Sequence, residues 1–165
     1  MRGRYLVSSF IVALGLLAYF YFYPSEEKKI KKQLALLSEY ASHDRGESAF
    51  ALARRLDHMA ALFADRVELK VPRYELSGTH TRREIVNLAA RARMAFSQTT
   101  LKFHDVSVAI SEEGMGKVSA TGRLKGMSVN GDNVDEIQDL ELIFQKGGEG
   151  RWLITAIEVV EVLKK

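Results

Sequence analysis

From Thr99 to Val162 the apolar residues of this chain recur at every second position, whereas most of the sequence before Thr99 spaces them three and four apart. A two-residue period sends side chains to alternate faces of an extended strand, and a period near 3.6 gathers them on one side of a helix. A chain that carries both, mostly in succession, has a few helices to set against a sheet, which makes it α+β.

The strand half is legible in segments. Leu101 and Phe103 share one parity and Val106, Val108 and Ile110 the other, so the alternation slips at His104-Asp105 as it does at a β-bulge. Val118, Ala120, Gly122 and Leu124 alternate with Lys117, Ser119, Thr121 and Arg123, giving a strand with one dry and one wet face. Asn130-Gly131-Asp132-Asn133 is turn chemistry, and Leu140, Leu142 and Phe144 then alternate with Asp139, Glu141 and Gln145. Gly147 to Gly150 turns the chain into Trp152 to Val162, apolar at nearly every position, as expected of a central strand covered on both faces.

The helical half is also segmented. Ile30, Leu34, Leu37 and Ala41, widened by Leu36 and Tyr40, predict an amphipathic helix over Ser25 to Tyr40, either the first helix of a domain or a self-association seam. His43-Asp44-Arg45-Gly46 breaks it. A second helix is expected from about Glu47 to Ala64 with Phe50, Ala53, Leu56, Ala60 and Phe63 on its buried face. Val67, Leu69 and Val71 alternate as a half-buried strand that Pro72 ends, and Tyr74 to Leu76 reads as a short return strand closed by Ser77-Gly78. Thr81 with Glu84 is a capping-box pattern opening a third helix, whose buried face is Ile85, Leu88, Ala89 and Ala92.

Ahead of all this, Tyr5 to Tyr23 is uncharged and almost wholly apolar, and as a helix it would span about 28 Å, close to a bilayer's hydrocarbon core. Met1-Arg2-Gly3-Arg4 would also suit a cleaved secretory signal. The run ends in Tyr19-Phe20-Tyr21-Phe22-Tyr23-Pro24, however, and bulky rings do not fit a peptidase's small-residue subsites but do fit an interfacial belt. The expectation is a transmembrane signal anchor over residues 1–24 and one domain over residues 25–165. A short amino-terminal tail before the run favours that end in the cytoplasm, with the domain outside the cytoplasmic membrane, in the periplasm of a Gram-negative cell. Lys28, Lys29, Lys31 and Lys32 weigh against that orientation, diluted by Glu26 and Glu27.

Composition narrows the chemistry. The chain has no cysteine, which excludes disulfides, thiolate metal sites and cysteine nucleophiles. Its formal charge of +3 is small, and no stripe of Lys and Arg interleaved with aromatics points to nucleic acid. None of His43, His58, His80 and His104 stands at a metal-ligand spacing, and the glycine runs at Gly114 and Gly147 lack the helix and lysine of a phosphate loop, so no metal or cofactor is expected.

The α-α-β-β-α-β-β-β-β order, the acidic stop in Leu62-Phe63-Ala64-Asp65-Arg66-Val67-Glu68-Leu69, the Leu76-Ser77-Gly78 turn into the third helix and the closing Gly150-Arg151-Trp152-Leu153-Ile154 together resemble the nuclear transport factor 2-like superfamily, in particular its SnoaL-like branch. The match runs from about Glu26 to Val162. The resemblance implies a cystatin-like cone, in which a strongly curved antiparallel sheet wraps about three helices around a pocket, and homodimers are common in that superfamily. It implies no reaction, because the superfamily holds isomerases, dehydratases, hydrolases, transport adaptors and scaffolds.

Acid–base work in such a pocket needs a carboxylate whose pKa is raised by apolar walls. Asp57, within a mostly apolar helix, and Asp105, which a bulge could re-aim inward, are the nominees. Tyr40, Tyr74 and His58 could line the pocket. Each has an ordinary alternative: a solvated helix face, a strand kink, or a ring at the rim of the core. Glu158 interrupts an apolar strand, so either an arginine such as Arg91, Arg93 or Arg123 forms an ion pair with it or its side faces solvent or a partner.

The residues support three functions. The first is a non-catalytic, membrane-anchored domain that binds a partner protein or a small apolar ligand and associates with itself; its layout is similar to the periplasmic assembly subunit of type IV secretion systems. The second is an isomerase, dehydratase or hydrolase using a pocket carboxylate. The third is a lipid or quinone binder whose pocket mouth faces the lysine-rich neck. In a Gram-negative host, alkaline phosphatase fused to the carboxyl terminus is expected to be active and a cytoplasmic reporter silent; the reverse pattern would put the domain in the cytoplasm.

Overall fold

The computed structural model describes residues 25–160, the side chain of Tyr74 excepted. The apolar run Tyr5–Tyr23 lies outside the described residues, and among those described no helix is long and apolar enough to cross a membrane.

Ser25 opens helix α1 (Glu26–Ala41), its hydroxyl oxygen accepting from the Lys28 N–H at 3.3 Å, and Glu26 and Glu27 complement the positive end of the helix dipole. Ile30, Leu34 and Leu37, at helical spacing, are buried. Helix α2 (Ala49–Ala60) is capped by Ser48 and stops four residues short of the sequence expectation, because Leu62 and Phe63 leave the helix to enter the core through strand β1 (Phe63–Val71). Its buried face is therefore centred on Met59, while Phe50 is 79% exposed.

Pro72 ends β1 in a single 3-10 turn (Pro72–Tyr74), and Glu75, left-handed at φ 53°, reverses the chain. The return strand β2 (Leu76–Thr81) begins at the last residue of the expected Tyr74 to Leu76 strand, and runs through Gly78 rather than closing at Ser77-Gly78. Helix α3 (Arg82–Met94) starts with the complete capping box of Thr81 and Glu84. The remainder is β3 (Phe96–Ile110), β4 (Met115–Ser128), β5 (Asn133–Lys146) and β6 (Trp152–Val160).

One curved six-stranded sheet results, in the order β2-β1-β6-β5-β4-β3. Its pairs are antiparallel except β1 with β6, and β6 is internal, as its two-sided apolar pattern predicts. The register shifts between His104 and Ser107, with Asp105 at φ 51°, which is the bulge read from the parity slip. A second bulge was not foreseen: Ile143 pairs with Ala156 but Phe144 with Ile154, so Thr155 is the extra residue. It moves Ile157 and Val159 inside and turns Glu158 outward.

The three helices cover the concave face over a core of Ile30, Leu34, Met59, Val67, Val118, Leu142, Phe144, Trp152 and Ile154. Helix α1 approaches most closely at Gly116, where a Cβ would lie 2.5 Å from Ile30 Cδ1. Gly116→Ala should lower stability by about 1–3 kcal/mol through overpacking, and Ile30→Ala by about 2–5 kcal/mol. Chemical denaturation reads both; a neutral Gly116→Ala would show that the helix is not held at this depth by the missing methyl.

Candidate functional site

Two adjoining voids lie between the helices and the sheet, of about 160 Å³ and 250 Å³. Ala41, Met59 and Ala89, one from each helix, line both. The larger is walled by side chains such as Leu37, Phe63, Ile85, Leu142 and Ile157, and no ionisable residue among those described lines it. The smaller reaches Tyr40, Leu56, Phe96, Thr99 and Leu124, and Arg93 is its charged residue.

These residues meet because α1 and β3 run in opposite directions. Ser38 Oγ donates to the Leu101 carbonyl (2.5 Å), Ser42 Oγ accepts from the Leu101 N–H (2.9 Å), and His43 and Thr99 exchange both backbone hydrogen bonds. The voids therefore sit toward the carboxyl end of α1. Lys28 to Lys32, in the first turns of that helix, are about 14–20 Å from its other end at 1.5 Å per residue.

Two polar groupings close this end. In the first, Thr99 Oγ1 lies 2.7 Å from His43 Nδ1, and His43 Nε2 lies 3.3 Å from the Phe96 carbonyl. A neutral imidazole with its proton on Nε2 donates to the Phe96 carbonyl and leaves Nδ1 to accept from the Thr99 hydroxyl, whose single proton also has the Ala41 carbonyl within reach at 3.2 Å. Burial lowers the His43 pKa from its ordinary 6.5, and the nearby charge of Arg93 lowers it further. In the second grouping, Glu47 is ion-paired to Arg93 and accepts from Arg55 Nε at 3.0 Å, with Glu47 and Arg93 only 13% and 12% exposed. Arg55 also donates through Nη1 to the carbonyls of Glu39 (2.9 Å) and Ser42 (2.6 Å), tying the end of α1 to α2. Burial lowers the pKa of Arg93 below its ordinary 12.5.

The residues singled out from the sequence fall mostly outside the voids. Asp57 is exposed on α2, and the left-handed backbone at Asp105 leaves that side chain exposed rather than re-aimed inward. Tyr40 lines the smaller void, with the exposed His58 stacked on its outer side at 5.6 Å between ring centroids. Tyr74's side chain is outside the described residues. Glu158 is half exposed, 3.6 Å from Lys70; Arg93 and Arg123 are engaged by Glu47 and Asp135. The bulge at Thr155 turns Glu158 toward solvent, the alternative to an arginine pair, and gives it Lys70 as its ionic neighbour.

His43, Glu47, Arg55, Arg93 and Thr99 had no local signal, since each looks like an ordinary loop, helix or strand residue until distant segments of the chain are brought together. Among the described residues, no three His, Asp or Glu side chains converge as a metal site would require.

Solved structures share this architecture. A candidate scytalone dehydratase from Novosphingobium aromaticivorans DSM 12444 superposes with a TM-score of 0.64 at 15% identity, over 84% of this chain and 85% of its own. A candidate dehydratase of the nuclear transport factor 2-like family from Streptomyces avermitilis gives 0.65 at 12%, over 85% and 99%. A type 2 hexachlorocyclohexane dehydrochlorinase, LinA, gives 0.66 at 11%, over 82% and 84%. At such identities the likeness establishes the fold. No family model matches the chain, and no curated protein matches it in sequence.

Because His43 is held neutral, the unfolded chain binds the extra proton first. The stability that His43 contributes is complete above its unfolded pKa near 6.5 and is lost as pH falls toward the lower folded value. Glu26, held at about 2 chiefly by Lys29, retains its contribution above about pH 4.5 and so does not titrate in that window. Tm should fall between about pH 7.5 and pH 5.5 in the wild type and be flatter in His43→Gln. Equal slopes would show that His43 titrates alike in both states.

Proposed function

We propose that this chain is a membrane-anchored, extracytoplasmic binding domain that holds a small, largely apolar ligand inside its cone without transforming it. The observation that carries this reading is the lining of the voids. They are walled largely by hydrocarbon, their charged residue is an arginine already paired with Glu47, and among the described residues no carboxylate lines them. An acid–base catalyst needs a titratable group against the substrate, and both nominated aspartates are exposed on the outside. Anchoring through Tyr5–Tyr23 accords with the start of α1 directly after that run, and it would raise the domain's local concentration at the membrane.

Collection of a lipid or quinone straight from the bilayer is the less favoured form of this reading. The voids lie toward the end of α1 opposite the lysine-rich neck, where Tyr40 and Thr99 line the smaller one.

A second reading, catalysis on a small molecule, is favoured by the dehydratase and dehydrochlorinase descriptions of similarly folded proteins. One experiment separates the two. A straight-chain alcohol such as 1-decanol should raise the Tm of the wild type saturably and be recovered unchanged by mass spectrometry. Ala89→Leu, which fills the junction of the voids, should remove the effect while the circular dichroism spectrum is kept. No saturable shift in the wild type, or one that survives Ala89→Leu, would sink the proposal, and chemical conversion of the ligand would favour the enzyme.

A further inference from the structure

Arg93 is the one charged residue among those lining the two voids. An ionised group in an apolar wall is costly unless something compensates it, and Glu47 does so only in part, because Arg55 shares that carboxylate. Two guanidiniums facing one carboxylate leave an excess positive charge beside the smaller void. The neighbouring groups do not cancel it: His43 is held neutral, while Asp44, Arg54 and Asp57 are exposed. Nor is Arg93 required to fasten Glu47, which Arg55 holds through Nε while its Nη1 is fixed on the two α1-end carbonyls.

Resting on the ligand-binding reading above, we infer that the cone is specific for an amphiphile with a single carboxylate head, bound by Arg93, and a hydrocarbon body that lies in the voids. A guanidinium presents paired donors that match a carboxylate in geometry and in charge. Arg93 stands near the carboxyl end of α3 beside the smaller void, and Ala89, one helical turn earlier, borders both. A body attached to a head at Arg93 is thus led past Ala89 and Met59 toward Phe63, Ile85 and Leu142. Met59 is unbranched and can re-pack around such a chain.

Decanoate, 1-decanol and decylamine share one hydrocarbon chain and differ in the head, so binding to the folded domain at about pH 7, below their self-assembly concentrations, isolates the head's contribution. Decanoate is expected to bind about tenfold or more tighter than decanol, as befits a charge-assisted hydrogen bond in a dry site, with decylamine the weakest. Arg93→Met should abolish the preference for decanoate and leave decanol unchanged, whereas Arg93→Lys should retain part of it. Equal binding of decanoate and decanol by the wild type, or a preference that survives Arg93→Met, would overturn the carboxylate assignment while leaving the apolar-ligand reading intact. Failure of all three to bind would remove both. If Arg93→Met does not fold, the wild-type ranking and Arg93→Lys still decide the matter.

Discussion

The seating of α1 on the sheet at Gly116 sets the position of everything else in the cone. Gly116 has no Cβ, so the fully buried Ile30 side chain rests on the β4 backbone, with Trp152 and Phe144 beside it. The same end is bound laterally: Trp152 Nε1–H donates to Glu26 Oε2 at 2.7 Å, and Lys146 and Lys29 pair with the same carboxylate. Dispersion and burial fix the depth of the helix, and a charge-assisted hydrogen bond fixes its first turn. With that end fixed, the length of α1 carries Ser38, Ser42 and His43 to Leu101 and Thr99, and so determines which residues surround the voids.

Sheet curvature decides how much room remains. The bulge at Asp105 bends the edge strand β3, and the one at Thr155 bends the internal strand β6. Gly122 and Gly126 offer no side chain on β4, so the strand can follow that curve with Leu140 and Phe96 laid across it. The helices then fill the concavity near Gly116 and leave it partly empty toward Met59 and Ala89. The cavity is thus the remainder between a bent sheet and straight helices.

The outer face obeys a different rule. Lys117 with Glu141, Arg123 with Asp135 and Lys70 with Glu158 form cross-strand pairs on the wet side of the sheet. Exposed pairs of this kind contribute little each, yet they keep that face hydrated and leave register to the apolar side. Inside, His43 meets Thr99 and the Phe96 carbonyl and Glu47 meets two arginines, whereas Gln33 Oε1 and His80 Nε2 are buried without a hydrogen-bond partner among the described residues.

The amino-acid sequence by itself determined the α+β class, the order of helices and strands, the cap at Thr81, the stop at Pro72 and the bulge at His104-Asp105, because each depends on neighbours within about one turn or one strand. Only tertiary structure decided the site. The bulge at Thr155 sits in a stretch apolar on both parities, where alternation has no contrast to lose, and so the inward course of Ile157 and the outward course of Glu158 were hidden. The grouping of His43 with Thr99 and of Glu47 with Arg55 and Arg93 depends on contacts between distant segments. Asp57 and Asp105 drew notice as acids among apolar neighbours, but facing is set by the pitch of a packed helix and the backbone angles of a bulge. Local spacing specifies which elements form, and packing specifies which of their faces meet.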